Sequence, residues 1–205
     1  MNDIPPVLSD GAFFPYSLPA NEWIEFESEG FSQSVTGVIY RSASPVRGVP
    51  LGGLGTGFMH LGTDGRLDRN TIFNSFLPPS ASVGMSNVTR DHVPDFSLPF
   101  LGLCLDDRVW VLGLPKLQER TGWAAITHTS MVGEPLDQEL GLAYADELHY
   151  WGHYPVADME FETTAPVRVG VRAWTPFVLG DAESSNTPGS VFHVRIRNPS
   201  SARQR

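Results

Sequence analysis

Apolar and polar positions alternate most clearly in the C-terminal third of this chain. Asp158, Glu160 and Glu162 interleave with Met159 and Phe161, one acidic face against one apolar face. Val167, Val169, Val171 and Ala173 interleave with Arg168, Gly170, Arg172 and Trp174. Further on, Val191, His193, Arg195 and Arg197 interleave with Phe192, Val194 and Ile196. Successive side chains of a strand point to opposite faces, so this period of two predicts three strands, each with one side in a core. A 3.6-residue period is sustained nowhere, and strands do not alternate with helices as a parallel sheet requires. The pattern predicts an all-β fold, an antiparallel β-sandwich.

Earlier in the chain the turns carry more of the signal. Gly48 to Asn74 holds six glycines (Gly48, Gly52, Gly53, Gly55, Gly57 and Gly62) ahead of Asp64-Gly65. An Asp-Gly pair between extended segments predicts a tight hairpin with both central residues at positive φ, pairing Phe58–Thr63 with Arg66–Phe73. A row of glycines before it marks a bulge or the close approach of another backbone or a ligand. Asp106-Asp107 predicts a second hairpin, joining Leu98–Leu105 to Val109–Leu114. Gly122–Val132 reads as a strand, whereas Asp137–Tyr144 fits a helical turn as well as an extended segment. Residues 1–35 mix prolines with Phe13, Phe14, Tyr16, Trp23, Phe26 and Phe31, too aromatic for a disordered tail. They predict an irregular arm on the surface of a sandwich module spanning 36–205, with a long polar loop at 78–94.

Composition narrows the function classes. With 20 glycines and 17 prolines among 205 residues, many short strands and turns are expected. One domain of this length buries roughly 70% of its unfolded surface. A net charge of −9 disfavours nucleic acid and anionic membranes as partners. No apolar run approaches the ~20 residues of a membrane span. The start, MNDIPPVLSDG, has acids and prolines where a secretory signal has basic and then apolar residues. Little weight therefore falls on the sequon Asn87-Val88-Thr89. The lone Cys104, inside an apolar run, fits a buried inert thiol in a reducing compartment. The expectation is a soluble, cytoplasmic protein.

Candidate chemistry thins out on inspection. Gly52 to Gly57 has phosphate-loop glycine spacing, but Phe58 and Met59 replace the required Lys and Ser/Thr. A dinucleotide fingerprint fails too, because Phe58 replaces the third glycine and a hairpin follows instead of a helix. Asp158, Glu160 and Glu162 suggest paired carboxylates, yet on one strand face they point in parallel rather than facing across a bond. A solvated outer face is the expected reading. His149 and His153 lack an HExxH setting and, on a strand, lie ~13 Å apart, too far for one ion. Neither metal nor cofactor is expected. Tyr150, Trp151 and Tyr154 suit sugar stacking or core packing, the commoner use.

Gly48-Val49-Pro50-Leu51-Gly52-Gly53-Leu54-Gly55-Thr56-Gly57, then Asp64-Gly65-Arg66 and Ile72-Phe73-Asn74, resemble the start of glycoside hydrolase family 116. That family includes β-glucosidases and non-lysosomal glucosylceramidases. Later stretches resemble it in the same order: Gly152-His153-Tyr154-Pro155, Ala173-Trp174-Thr175-Pro176-Phe177, and Pro188 to Phe192 leading to Asn198-Pro199-Ser200. The likeness implies an N-terminal β-sandwich followed by an (α/α)6 helical domain that carries a Glu nucleophile and an Asp acid/base. No residue here matches either catalytic motif, so no catalytic residue is assigned. The resemblance also implies further strands beyond Ser200, so the sandwich is expected to be incomplete at its C-terminal edge. Gly52, Gly53, Gly55, Thr56 and Gly57, with small side chains that permit close approach, are candidates for the rim where the helical domain docks. The parent reaction would be retaining hydrolysis of a β-glucoside, with the carbohydrate or glycolipid held by the helical domain. The rival expectations are a free-standing carbohydrate-binding sandwich and a poorly folding gene fragment.

Overall fold

The computed structural model describes residues 13–14, 20–41, 48–68, 98–115 and 142–204. The polypeptide forms an antiparallel β-sandwich built on one six-stranded sheet and two smaller ones. In sequence order the strands are β1 (Trp23–Phe26), β2 (Val35–Arg41), β3 (Pro50–Gly53), β4 (Gly57–Leu61), β5 (Arg66–Asp68), β6 (Leu98–Pro99), β7 (Gly102–Leu105) and β8 (Arg108–Val111). They continue with β9 (Ala143–Tyr144), β10 (Glu147–His153), β11 (Val156–Glu162), β12 (Arg168–Trp174) and β13 (Val191–Arg197). A single-turn helix, α1 (Ala182–Ser185), lies between the last two.

The large sheet runs β1-β2-β10-β11-β12-β13. Its inner face presents Leu148 and Tyr150 from β10, Ala157, Met159 and Phe161 from β11, and Val169, Val171 and Ala173 from β12. Leu51 and Leu61 from the sheet β3-β4-β5-β6, and Leu103, Trp110 and Leu112 from the region of β7-β8-β9, complete the same core. β11 and β12 thus have one side in the core where alternation placed it, whereas β13 forms as a strand but packs only Phe192 against that core. A core of this kind gains stability in proportion to the apolar area removed from water.

Turn chemistry holds with adjustments. Asp106 and Asp107 both have positive φ, 46° and 64°, as a two-residue hairpin turn between twisted strands requires. At the Asp-Gly turn only Gly65 is left-handed, at φ 79°. Gly62 donates to Arg66 O at 2.8 Å and Gly65 to Gly62 O at 3.0 Å, so the connection is a three-residue loop closed by a left-handed glycine. The Asp64 carboxylate accepts from Arg66 N at 3.1 Å, which favours the turn without a second positive φ. β5 pairs with β4 as expected, Leu61 opposite Leu67; residues 69–73 lie outside the described residues.

Four expectations need correction. Trp23–Phe26 are not irregular: they form the edge strand β1, with Phe26 opposite Val35. Leu98–Leu105 is not one strand, because Leu98–Pro99 pair with β5 whereas Gly102–Leu105 pair with β8. Cys104 is exposed, since Leu103 takes the inward position and alternation turns its neighbour out. The antiparallel rule has one local exception, the short parallel pairing of Ala143–Tyr144 with Trp110–Val111. The segment expected as a strand at 122–132 and the loop at 78–94 lie outside the described residues. At the far edge of the large sheet, Val194 and Ile196 of β13 remain exposed. No helix among the described residues is long and apolar enough to cross a membrane.

Candidate functional site

Two regions bring together the residues that the sequence singled out. The first is the outer face of the large sheet. Strand register sets Trp151, Asp158, Arg172 and His193 in one row across β10 to β13, and His149, Glu160, Gly170 and Arg195 in the next. The acidic column of β11 therefore stands between an aromatic and imidazole column and a basic one. Opposite charges across adjacent strands stabilise each other.

The acidic trio is not a solvated face. Asp158 and Glu160 are buried, and only Glu162 is partly open. Arg172 grips Asp158 with two bonds of 2.7 Å, Nε to Oδ1 and Nη2 to Oδ2. This carboxylate raises the pKa of the Arg172 guanidinium, chiefly through those hydrogen bonds. His153 Nε2 lies 3.0 Å from Asp158 Oδ2 and 3.5 Å from Ser28 Oγ. One ring nitrogen faces both groups, so Ser28, His153 and Asp158 are not the relay of a hydrolase triad, which uses the two nitrogens separately. Glu160 accepts from the Phe13 backbone N–H at 2.9 Å, and Arg168 Nη1 reaches both Glu160 (3.4 Å) and Glu162 (3.2 Å).

What seals this face is the aromatic N-terminal segment. Phe14 packs on Trp151 at 5.0 Å between ring centroids, and Arg197 sits over the Phe13 ring at 4.7 Å. Gly170 makes room, because a Cβ there would stand 2.8 Å from Phe13 Cδ2. Phe26 and Phe31 both stand edge-on to the His153 ring. Arg172 also donates to Glu29 O, and Arg195 pairs with the Glu29 carboxylate at 2.6 Å. Burial of paired charges is tolerated when each lone pair and proton finds a partner, and here most do. Desolvation lowers the pKa of His149 on the same face, which favours its neutral form.

The candidate stacking rings part company. Tyr150 and Trp151 are each only 1% exposed, on opposite faces of β10. Tyr150 Oη accepts from Val49 N at 2.7 Å, and burial pushes its phenol pKa up. Neither ring offers a face to a sugar. Tyr154, in the turn between β10 and β11, is exposed and meets Phe177 edge-on at 5.4 Å.

The second region is the glycine hairpin. Gly52, Gly53 and Gly57 lie on the paired strands β3 and β4, and Leu54, Gly55 and Thr56 form the turn between them. Gly57 has φ 103°, open to glycine alone. The close approach that the glycines predict is made by another part of the same polypeptide. A Cβ on Gly53 would lie 2.7 Å from both the carbonyl carbon and the carbonyl oxygen of Asn186. Asn186 Oδ1 accepts from Gly55 N at 2.6 Å, Thr56 Oγ1 donates to Asn186 O at 3.3 Å, and Leu54 N donates to Ser185 O at 3.0 Å. Asn186 thus clamps the turn, a role that the sequence did not reveal. Its own position is fixed by α1, whose N-cap Asp181 accepts from Ser184 N at 3.0 Å and Ser184 Oγ at 2.6 Å. These bonds hold the Asp181 carboxyl below its usual pKa.

Among the described residues, no group of three His, Cys, Asp or Glu side chains is placed to hold a metal ion. His149 and His153 are both buried on the outer face of β10. Comparison with known proteins gives one family-level result. The model described as beta-glucosidase 2, glycosyl-hydrolase family 116 N-term, matches residues 48–205. No curated protein matches this sequence.

Proposed function

Because the protein belongs to the N-terminal domain family of glycoside hydrolase family 116, we propose that it is the non-catalytic sandwich module of a retaining β-glucosidase or glucosylceramidase. The observation that carries this reading is the match from Gly48 to the last residue. The state of the carboxylates supports it. A retaining glycosidase holds two carboxyl groups about 5 to 5.5 Å apart, facing each other across the scissile bond. The acids of β11 instead project side by side and are spent on Arg172, His153, Arg168 and the Phe13 N–H. In this reading the nucleophile and the acid/base lie on the helical domain of the parent enzyme, which also binds the glucoside. Gly52, Gly53, Gly55, Thr56 and Gly57 then form part of the rim that meets that domain.

The purified 205-residue protein should give no turnover of an aryl β-glucoside, and Asp158→Asn and Glu160→Gln should not differ from it. Mixing in the helical domain of the parent enzyme should bring turnover. Hydrolysis by the sandwich alone, abolished in either variant, would put the active site on β11 and overturn the reading. A free-standing sugar-binding module is the weaker alternative, since two of its three candidate rings are closed to solvent.

A further inference from the structure

The large sheet's outer face is charged yet covered by the protein's own aromatic segment. The end of the sandwich around the glycine turn is the reverse. Leu179 is 91% exposed, Leu54 56% and Val178 50%, and Phe177 and Tyr154 are open beside them. These residues belong to one built surface. Ser185 Oγ donates to Val178 O at 3.1 Å and accepts from Val178 N at 3.0 Å, while Ser185 O accepts from Leu54 N. Asp181 N donates to Val178 O at 3.0 Å, closing the loop that carries Leu179 at its tip. The apolar side chains are therefore presented on a hydrogen-bonded frame.

Charge points to the kind of partner. In a protein of net charge −9, the segments Val49–Gly62 and Trp174–Gly180 contain no Asp, Glu, Lys or Arg. An apolar patch whose polar margin includes Asp181 and Glu183 has the make-up of an interface centre, not of a surface that attracts polyanions. The family to which the protein belongs is the N-terminal part of glycoside hydrolase family 116, which implies a catalytic domain elsewhere in the parent enzyme as the partner. We propose that Leu54, Tyr154, Phe177, Val178 and Leu179 are the face by which this sandwich docks on the catalytic domain of its parent enzyme. The proposal rests on the functional reading above. It adds the 177–186 loop to the glycine rim and makes Asn186 a positioning residue, which sets the Leu54 turn against the Leu179 loop.

The test mixes the 205-residue protein with the separately produced catalytic domain and reads association by calorimetry. Leu54→Asp and Leu179→Asp should each weaken it about tenfold or more, as loss of a central apolar contact does. Trp23→Ser, at an equally bare position on edge strand β1, should leave it unchanged. Because Leu54 and Leu179 are exposed, the two Asp variants should melt with the unaltered protein, so weaker binding is not misfolding. Equal binding by both variants would overturn this face while leaving the family reading intact. No binding by the unaltered protein would overturn both. Self-association that vanishes in Leu179→Asp would show the occupant to be a second copy, and would also overturn the proposal.

Discussion

The covered acidic face and the bare glycine end differ in a way that composition alone inverts. Three carboxylates on alternate residues look made for water, yet Asp158 and Glu160 are sealed beneath Phe13, Phe14 and the 28–31 segment. A stretch rich in Leu, Phe and Gly looks made for a core, yet Leu54, Val178 and Leu179 face solvent. Charge is buried where adjacent strands supply its complement. Apolar surface is left bare where a hydrogen-bonded turn and loop turn their side chains away from the core. Burial is thus decided by what lies across from a residue more than by its own type.

The sharpest break in the comparison is Asp158→Ala. It would leave the Arg172 guanidinium and His153 without the carboxylate that holds them, in a region closed to water. Removing one partner of a buried ion pair costs about 3 to 5 kcal/mol. Chemical denaturation should show a loss of that size for Asp158→Ala and less for Asp158→Asn, which keeps one acceptor. A change within ~0.5 kcal/mol, the range of ordinary surface substitutions, would mean that the face is solvated after all.

Much of this was legible in the sequence, and the reasons for the remainder are physical. β11, β12 and β13 could be read because alternation is a property of each strand by itself. The two-residue turn at Asp106-Asp107 was readable because aspartate tolerates the left-handed conformation. The fate of the acidic trio depended on register between strands. His149 and His153 on β10, and Arg168 and Arg172 on β12, carry the matching parity, so the signal was present. It needed a cover as well, and the aromatic arm supplied it. Cys104 was misplaced for a simpler reason: a run of apolar residues hides which parity points inward, and Leu103 holds that place. Asn186 had no signal at all, since a lone Asn after a one-turn helix is ordinary until the glycine turn is packed against it.

Glycine substitutions sharpen the contrast at the next level of effect. A Cβ on Gly53 would meet the Asn186 backbone at 2.7 Å, and a backbone held by α1 and its cap cannot step aside. A Cβ on Gly170 would meet Phe13 Cδ2 at 2.8 Å, a side-chain atom of the covering segment and not backbone. Gly53→Ala should therefore cost about 2 to 3 kcal/mol and Gly170→Ala about 1 kcal/mol, within the range seen for overpacking. Proteolysis adds a qualitative check: Gly170→Ala should speed cleavage near Phe13 while the sandwich persists, and Gly53→Ala should not. Faster cleavage at the N-terminal segment in both variants would mean that the two regions are coupled.

The smallest expected effect separates the regions by pH. On the covered face, burial lowers the His149 pKa below 6.5, whereas the unfolded imidazole takes up a proton near that value. The unfolded state then binds more protons, so stability falls as pH drops below 6.5 and levels off once the folded His149 is also protonated. At the glycine end, the Ser184 hydroxyl and then the Ser184 N–H depress the Asp181 pKa below 3.8. A depressed carboxyl contributes stability that is full above its unfolded value and is lost as pH falls through its folded one. The two losses therefore occupy different windows. His149→Gln should remove the fall in melting temperature that begins as pH drops below 6.5, and should leave the slope through the carboxylate range unchanged. Asp181→Asn keeps a helix-capping acceptor but cannot titrate, so it should remove only the loss below about pH 4. Protection of the Leu54 and Gly55 amides from hydrogen exchange should follow Asp181 and not His149, because Ser185 and Asn186 hold those amides through α1. If both substitutions shifted the same window, the covered face and the glycine end would be one cooperative unit, and the distinction drawn between them would fail.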